Sequence, residues 1–436
     1  MVDVHKRRRP KGRRKGPRAE RPAQREDRSG SRVAANPGRV AAIQALMAVD
    51  EGKHLEDVLP TLLPAEPRDR GFGWFLAFGV LRRRGQIDTA LRALVHQPLS
   101  EMDPGVRATL RVGAFESFFG RAKDHAVVSQ AVEAARAVGV GRASGLVNAV
   151  LRKLPSEPPT HTNHPSWLAA RWKERYGDDA KSWLEANAEP PPVFVVAPRG
   201  LPDGLQGEPM DGVADVYRVD VGGPIPDLPG FDQGAFWVQD LAAVRVADLL
   251  ADGVGEGSRV LDACAAPGGK TFRLTQHGHA VTAVDKRSSR LAPLREGAAR
   301  LGIEVAVRAH DWSKGPLPDA SGPLLFDAVL VDAPCTGLGT IRRHPEIRWR
   351  RQPADLERAP ELQLRILKAA STHVRPGGVL VYAVCSPEPE EGQAVVAAFL
   401  SEHPDFAIDA ELATAPPQLG EDAHVAVRLR RRSPSE

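Results

Sequence analysis

The sequence contains 436 residues, of which 42% are hydrophobic and 26% are charged. At roughly 150 residues per domain this length predicts two to four domains with packed cores, and the composition excludes a chain that is disordered throughout. Three cysteines, none in a Cys-x-x-Cys pair, exclude a disulfide framework and a cysteine-rich zinc site. We therefore expect no metal and a reducing, cytoplasmic compartment. No apolar run reaches the roughly 18–20 residues of a membrane-spanning helix, so we expect no membrane partner.

The formal net charge of +4 conceals an asymmetry, because residues 1–30 contain 12 Lys or Arg and 4 Asp or Glu. Residues 1–35 are predicted to form a basic, disordered tail, since Pro and Gly interrupt them and no apolar periodicity is present. They also lack the apolar segment of a secretory signal. Such a tail suits a polyanion such as RNA; the alternative is a solubilising extension.

Apolar residues at three- and four-residue spacing, beginning with Val40, Ile43 and Met47, predict an all-α domain over residues 36–155. This region carries no catalytic signature, so we expect a docking or RNA-binding module, with a purely structural role as the alternative. Residues 156–250 begin with a Pro-rich linker and predict a small, irregular α/β region that contacts RNA.

From Ser258 onward, short apolar strands alternate with helical segments. Residues 251–432 are therefore predicted to form a Rossmann-like domain, a doubly wound and mostly parallel sheet with helices on both faces. Ligands of such sheets bind beyond the carboxyl ends of the strands, where the strand order reverses. The five predicted strands occupy residues 259–263, 280–285, 304–310, 326–332 and 379–385.

The first motif is a run of small residues that follows the first of these strands and opens a helix. Its glycines let the backbone approach a ligand closely, and the free N–H groups of a helix start suit a carboxylate or phosphate. The spacing matches neither GxGxxG nor a P-loop, which favours a nucleotide-like ligand other than NAD or ATP over a tight turn without a ligand. The residues of this loop are Asp262, Ala263, Cys264, Ala265, Ala266, Pro267, Gly268, Gly269, Lys270 and Thr271.

Acidic residues follow the second and third strands. A carboxylate at the position of Asp285 can accept both ribose hydroxyls of a nucleoside, and the alternative is a cap on the following helix. Asp311 is a candidate acceptor for an adenine amino group or, alternatively, a cap on the next turn.

A carboxylate and two thiols follow the fourth and fifth strands. Asp332 and Cys335 lie in the segment DAPCTGLG, and Cys385 ends the fifth strand. We expect both cysteines to reach one cleft, although a cysteine at a strand end is often a small buried residue. A thiol beside a carboxylate in a nucleoside site is typical of nucleophilic catalysis on an electrophilic ring.

Cytosine is a ring on which this combination works. Addition of a thiolate to carbon 6 makes carbon 5 nucleophilic toward a sulfonium methyl group, and a carboxyl group against ring nitrogen 3 favours that addition. Loss of the carbon 5 proton and elimination of the thiol then restore the aromatic ring. A base in a duplex must first be flipped out of the stack.

Five arginines crowd into residues 341–351, just past the Cys335 loop. We expect them to clamp RNA phosphates beside the cleft, with a solvated basic face as the alternative. Trp349 in the same segment is a candidate for stacking on a base or for pinning the loop to the core. The predicted RNA-binding residues are Arg342, Arg343, Arg348, Arg350 and Arg351.

Together these segments resemble the RNA cytosine-C5 methyltransferases, specifically the RsmB/Sun type that modifies small-subunit ribosomal RNA. The motifs that carry the resemblance, in chain order, are FDQGAFWVQDLAA, DACAAPGGKT, AVDKRSSRL, DAVLVDAPCTGLGTIRRHPEIRW and VYAVCSPEPEE. GVLRRRGQID and SGLVNAVLRKL in the helical part are similar to a NusB-like domain. The basic tail lies outside the resemblance.

The resemblance implies S-adenosyl-L-methionine as the methyl donor and small-subunit (16S) ribosomal RNA as the partner, and we expect a monomer. It implies that Cys385 is the nucleophile and that Cys335 assists product release, while Asp332 activates the cytosine. Cys264 is expected to serve packing rather than reactivity. The implied donor-binding residues are Cys264, Ala265, Ala266, Pro267, Gly268, Gly269, Lys270, Asp285, Asp311 and Asp332.

The sequence departs from the family's pattern at three places. Val384 precedes Cys385 where the family usually has Thr, residues 193–198 lack the usual Arg-x-Asn, and residues 424–431 lack a Gly-Phe-Phe-like approach to the last strand. Two alternatives stay open: the same chemistry on transfer RNA, and a non-catalytic RNA-binding or antitermination-like factor.

Overall fold

The computed structural model describes residues 34–221, 223–318 and 324–433, so the prediction of a disordered tail falls almost entirely outside it. The N-terminal part is all-α, as the apolar spacing predicted. Its helices are α1 Pro37–Asp50, α2 Leu55–Leu62, α3 Pro67–Arg82, α4 Arg84–Arg92, α5 Pro104–Phe119, α6 Asp124–Ala137 and α7 Ser144–Leu151.

Two of these helices begin with a polar cap followed by proline. Asn36 accepts a hydrogen bond from the Arg39 N–H before α1, and Asp103 accepts from Gly105 and Val106 before α5. These acceptors satisfy N–H groups that a helix start leaves unpaired, and proline fits the first helical position because it has no N–H to lose. A single apolar core joins the seven helices.

The middle region is more regular than the expected irregular fold. Helices α8 Ser166–Tyr176 and α9 Ala180–Ala188 come first. Four short strands then pair antiparallel in the order β2-β3-β1-β4. The sequence signal was weak because these strands are only two to four residues long and lie among Pro and Gly residues. The strands are β1 Val193–Val196, β2 Gly207–Pro209, β3 Val216–Val219 and β4 Trp237–Val238.

The C-terminal part forms a seven-stranded sheet in the order β10-β11-β9-β8-β5-β6-β7, which confirms the Rossmann-like class. Strands β5 to β9 pair in parallel, and β11 and β10 add an antiparallel edge. The elements are α10 Leu241–Ala251, β5 Arg259–Asp262, α11 Gly269–Gln276, β6 Ala280–Asp285, α12 Leu291–Leu301, β7 Ala306–Ala309, β8 Phe326–Asp332, α13 Ile347–Arg350, α14 Pro353–Ser371, β9 Val374–Val384, α15 Gln393–Glu402, β10 Phe406–Ala413, α16 Pro416–Leu419 and β11 Val425–Arg431.

The strand order reverses at β5, which has β6 on one side and β8 on the other. Because β5, β6, β8 and β9 run in parallel, their carboxyl ends open at one edge of the sheet. This edge carries Asp262, Asp285, Asp332 and Cys385. Within the described residues, no helix is both long and apolar enough to cross a membrane.

Candidate active site

The turn after β5 closes tightly against α11. Gly268 has φ +122°, and a Cβ added there would lie 2.7 Å from the ring of Phe272. Only glycine therefore fits this position without strain. Asp262, at the end of β5, accepts a 2.7 Å hydrogen bond from the Thr271 hydroxyl and so ties the strand to the first turn of the helix.

Asp262 is buried, and burial raises its pKa to about 7 although the Thr271 hydroxyl and the nearby Lys270 ammonium oppose that shift. Its Oδ1 has no hydrogen-bond partner within the described structure. The Asp262 carboxyl group therefore changes its protonation state near neutral pH.

Lys270 reaches from the start of α11 to the end of β8, where its Nζ lies 2.7 Å from Asp332 Oδ2. Burial lowers the pKa of Lys270, but the Asp332 carboxylate outweighs that effect and the net pKa is raised. The ammonium group is therefore a permanent cation that holds one oxygen of Asp332 in place.

The two cysteines at the ends of β8 and β9 are in direct contact, with 3.1 Å between Cys335 Sγ and Cys385 Sγ. Both side chains are half-buried. The hydrogen bond to Cys385, together with burial, raises the pKa of Cys335 well above its ordinary value. Cys335 is therefore held as a neutral thiol, which can give a proton to a neighbouring atom.

The loop that carries Cys335 is fixed by Glu391, which the sequence analysis did not single out. Glu391 is fully buried and accepts hydrogen bonds from the Thr336 N–H at 2.7 Å and the Thr336 hydroxyl at 2.5 Å. Gln363 on α14 donates to the same carboxylate. The only sequence signal was the acidic run after Cys385, which looks like a solvated segment.

Asp285 and Asp311 lie at the other end of the site. Asp285 is buried, and its carboxylate accepts from the N–H of Ala266 at 3.3 Å and of Arg287 at 3.4 Å. Asp311 caps the following turn through Ser313, the alternative considered for it, and pairs with Lys286 at 3.0 Å. The Ser313 hydrogen bond lowers the pKa of Asp311 to about 2.

A cleft of about 770 Å³ joins these groups, within the size range of small-molecule sites. Asp285 and Asp311 line it together with Asp332 and both cysteines. A further contribution was not predicted from the sequence: His54, Glu56 and Asp57 of the helical domain also line the cleft. Nothing in the local sequence before α2 signals this approach, which depends on how distant parts of the chain pack.

Several arginines beyond the Cys335 loop are engaged by protein rather than open to phosphate. Arg348 is fully buried and donates to the carbonyls of Asn163, Asn187 and Ile341. The predicted phosphate contact is therefore wrong for Arg348 in this structure, because protein carbonyls occupy its guanidinium group.

Arg342 and Arg343 are also engaged by protein groups, and phosphate contact by the partly exposed Arg343 stays a prediction. Arg342 is buried and donates to the carbonyls of Gly420 and Pro190, both at 2.9 Å. Arg343 pairs with the carboxylates of Asp240 and Asp422.

The rest of the segment also contacts the protein. Trp349 donates its indole N–H to the Leu81 carbonyl at 2.9 Å, so it pins the loop to the helical domain. Arg350 donates to the Lys53 carbonyl, and Arg351 donates to the Thr336 carbonyl at 2.7 Å. RNA contact by Arg350 and Arg351 stays a prediction.

Proteins of known sequence resemble this chain over most of its length. Ribosomal RNA small subunit methyltransferase B of Salmonella newport (strain SL254) is 35% identical over 393 residues, covering 84% of this chain and 90% of that protein. This chain belongs to the ribosomal RNA small subunit methyltransferase B family. The protein of that name from Xanthomonas campestris pv. campestris is 35% identical over 415 residues, or 91% of this chain and 93% of that protein.

Family models divide the chain consistently with this membership. The 16S rRNA methyltransferase RsmB/F model matches residues 250–432, and the NusB family model matches residues 36–155. A ferredoxin-like domain model of the RsmF/B-like methyltransferases matches residues 164–195. The sequence-based resemblance to the RsmB/Sun type is therefore confirmed.

Solved structures share the fold. The crystal structure of PH0851 aligns with a TM-score of 0.79 at 22% identity, covering 92% of this chain and 99% of that chain. NSun6 from Pyrococcus horikoshii, solved with SFG, aligns with a TM-score of 0.54 at 18% identity, covering 61% of this chain and 98% of that chain. The described residues of this family member contain no group of His, Cys, Asp and Glu that is arranged to hold a metal ion.

Proposed function

We propose that this methyltransferase transfers a methyl group from S-adenosyl-L-methionine to carbon 5 of a cytosine in small-subunit ribosomal RNA, through a covalent bond between Cys385 and the base. The observation that carries the proposal is the contact between Cys335 and Cys385 beside Asp332. RNA methylation as such does not require two adjoining thiols, whereas in the proposed chemistry one thiol adds to the pyrimidine and the other assists its elimination.

The chemistry of the cleft fits the proposed donor. Cys264 and Ala266 of the loop after β5 line it, and the tight turn at Gly268 packs the rest of that loop against Phe272. Asp285 offers carboxylate oxygens to ribose hydroxyls, and Asp311 lies nearby as a second acceptor. When bound, S-adenosyl-L-methionine supplies a methyl group made electrophilic by a positively charged sulfur.

In the proposed first step, the Cys385 sulfur bonds to carbon 6 of the cytosine. The electron pair of the carbon 5–carbon 6 double bond moves onto carbon 5 and, through carbon 4, toward ring nitrogen 3, so carbon 5 becomes the nucleophile that methyl transfer requires. The proton that Cys385 gives up passes to Asp332, which holds it against nitrogen 3, while Lys270 fixes the orientation of the Asp332 carboxyl group.

In the second step, after methyl transfer, carbon 5 loses its proton and the electron pair of that carbon–hydrogen bond rebuilds the carbon 5–carbon 6 double bond. The carbon–sulfur bond breaks, and its electron pair returns to Cys385. The proton from carbon 5 ends on the Cys335 sulfur, in place of the proton that Cys335 gives to Cys385. The leaving thiolate is stabilised by a proton donor within reach. Cys335 is that donor, because it lies 3.1 Å from Cys385 and its raised pKa keeps it protonated.

The proposal is tested by incubating the protein with unmodified small-subunit ribosomal RNA and labelled donor, followed by bisulfite sequencing of the product. We expect one protected cytosine. Label in the RNA without any protected cytosine would contradict carbon 5 as the acceptor, and the absence of label would contradict the proposed activity.

Transfer RNA is the second candidate substrate, since the same residues would act on it and the segment 193–198 departs from the family's pattern. Parallel reactions with total transfer RNA distinguish the two. The non-catalytic alternative is disfavoured because an RNA-binding factor has no use for adjoining thiols in a cleft. We propose that the enzyme acts as a monomer in the cytoplasm.

A further inference from the structure

A second depression of about 690 Å³ lies next to the catalytic cleft, and Glu56 lines both. It lies between the helical domain and the small antiparallel sheet. We call it the aromatic groove. The residues that line the groove include Trp74, Phe75, Phe78 and Phe119 from the helical domain, and Pro190 and Ile225 from the region of the small sheet.

The aromatic rings of the groove are accessible. Phe75 is 45% exposed and is the one aromatic among the large exposed hydrophobic side chains of the described residues. Trp74 stacks on Phe78 at 5.2 Å, and its indole N–H has no hydrogen-bond partner in the described part of the chain. Exposed ring faces of this kind accept a flat, partly polar ligand such as a nucleobase.

Arginines accompany these rings. The Arg82 guanidinium lies 5.1 Å from the centre of the Phe78 ring, and that of Arg83 lies 5.5 Å from the centre of the Phe119 ring. Arg83 pairs with Glu189 at 2.7 Å. Arg82 forms no ion pair with any described residue and donates instead to the Arg342 carbonyl. Glu189, the acidic group that acts on Arg82 through space, is already paired with Arg83.

Two further arginines lie behind the groove. Arg342 and Arg348 donate to carbonyl oxygens and form no ion pairs within residues 34–221, 223–318 and 324–433. Burial, and after it the neighbouring Arg342, lowers the pKa of Arg82 to about 10, while Glu189 opposes the shift. A ligand that brings negative charge to the groove is attracted by these arginines.

We propose that the aromatic groove binds a single-stranded segment of the substrate RNA next to the target nucleotide, with bases stacked on Phe75 and Trp74 and phosphates facing Arg82 and Arg83. This inference rests on the proposed function, which makes RNA the substrate. Aromatic faces interleaved with arginines are the usual platform for single strands, and Glu56, which lines both depressions, places the groove beside the cleft. An apolar protein segment is the competing occupant.

The test uses the full chain and an unmodified small-subunit ribosomal RNA transcript. Phe75→Leu keeps most of the apolar volume but removes the aromatic ring, whereas Phe75→Tyr retains an aromatic ring. We expect Phe75→Leu to raise both the Kd and the KM for RNA by about 5- to 50-fold, with kcat at saturating RNA and donor affinity unchanged. Phe75→Tyr should stay within about twofold of the wild type.

Arg83→Gln adds a second, independent readout. It should weaken RNA binding and lower the slope of log Kd against log salt by about one, because one phosphate contact is lost, whereas Phe75→Leu leaves the slope unchanged. Matched controls lie outside the groove. They are Ile408→Ala, at a 52% exposed apolar side chain, and Arg259→Gln, which removes another arginine that covers a ring.

Kd and KM values of Phe75→Leu equal to those of Ile408→Ala, with normal melting of both variants, would overturn the groove proposal and favour a protein occupant. Failure of the proposed function looks different, because the wild type itself would then transfer no methyl group to cytosine. The direct Kd measurement judges the groove in that case as well, since it does not depend on turnover.

Discussion

Two regions rich in functional residue types behave in opposite ways in this molecule. At the strand ends, Asp285, Asp332 and Cys385 come together in one cleft. In the segment 341–351, which looks like an RNA clamp by composition, Arg348 is instead fully buried against carbonyl oxygens. The first region exposes its chemistry to a ligand, whereas the second uses its charges to join distant parts of the protein.

The difference teaches that position in the fold outweighs residue type. A residue at the carboxyl end of a parallel strand has its location set by the strand itself, so its neighbours follow from the topology. An arginine in a loop has no such constraint, and its long side chain can satisfy carbonyls as well as phosphates. Arg342 reaches Pro190 and Gly420, which are far away in sequence.

The largest expected effect comes from Cys385→Ala. Because the proposed chemistry needs a sulfur bonded to carbon 6, kcat should fall by at least about 10³-fold, while donor affinity measured by calorimetry stays unchanged. Cys385→Ser is the matched comparison: it keeps the size of the side chain, but its hydroxyl is a much weaker nucleophile, so kcat should fall to a similar extent. Near-normal turnover by Cys385→Ala would contradict the assignment of Cys385 as the nucleophile.

A second substitution tests the arginine segment. Arg348→Met leaves several carbonyl oxygens without their donor, so we expect a loss of about 2–4 kcal/mol in the free energy of unfolding, measured by urea titration. Arg358→Met on α14 is the control, because its side chain is 73% exposed, and it should change stability little.

The salt dependence of RNA binding completes this comparison. With the fold kept by mild conditions, Arg348→Met should leave the salt slope of RNA binding as in the wild type, whereas deletion of residues 1–30 should lower it. A smaller salt slope of RNA binding for Arg348→Met than for the wild type would indicate that Arg348 contacts an RNA phosphate, contrary to its burial in the structure.

The smallest predicted effect concerns pH. The pKa of Asp262 is raised to about 7 in the folded protein, so the folded chain keeps a proton that the unfolded chain releases near pH 4. Its contribution to stability is therefore present at low pH and is lost as the pH rises from about 4 to 7. Asp262→Asn replaces the titrating carboxyl group with a neutral amide, so the variant should not lose stability in this way as the pH rises.

Melting temperatures of Asp262→Asn and the wild type, measured between pH 5 and 8, test this prediction. The melting temperature of Asp262→Asn minus that of the wild type should increase with pH. The other titrating groups are present in both proteins, so their effects on this difference cancel. A difference that is constant across this range would show that Asp262 does not titrate there.

The alternation of strands and helices in residues 251–432 was sufficient to predict the sheet class and the edge that carries the site. Apolar strands such as β8 and β9 are buried on both faces, and continuous apolar runs reveal such strands. The four-stranded sheet was not predictable in the same way, because β4 has only two residues and no periodicity can be read from two.

The site was predicted at its strand ends but not at its supports. Glu391 fixes the Cys335 loop through Thr336, which lies 55 positions earlier in the sequence. The approach of His54 and Asp57 to the cleft likewise depends on packing between domains. Contacts between residues so far apart leave no periodic pattern in the sequence, so they become visible only in the folded structure.

The most direct test of the central claim is the fate of RNA on Cys335→Ala. Without the proton donor beside Cys385, elimination should slow more than addition, and a protein–RNA adduct should accumulate on a denaturing gel of Cys335→Ala incubated with RNA and donor. The adduct should disappear when Cys385→Ala is added to Cys335→Ala. Normal turnover by Cys335→Ala without any adduct, or an adduct that persists in the double variant, would contradict the proposed roles of the two thiols.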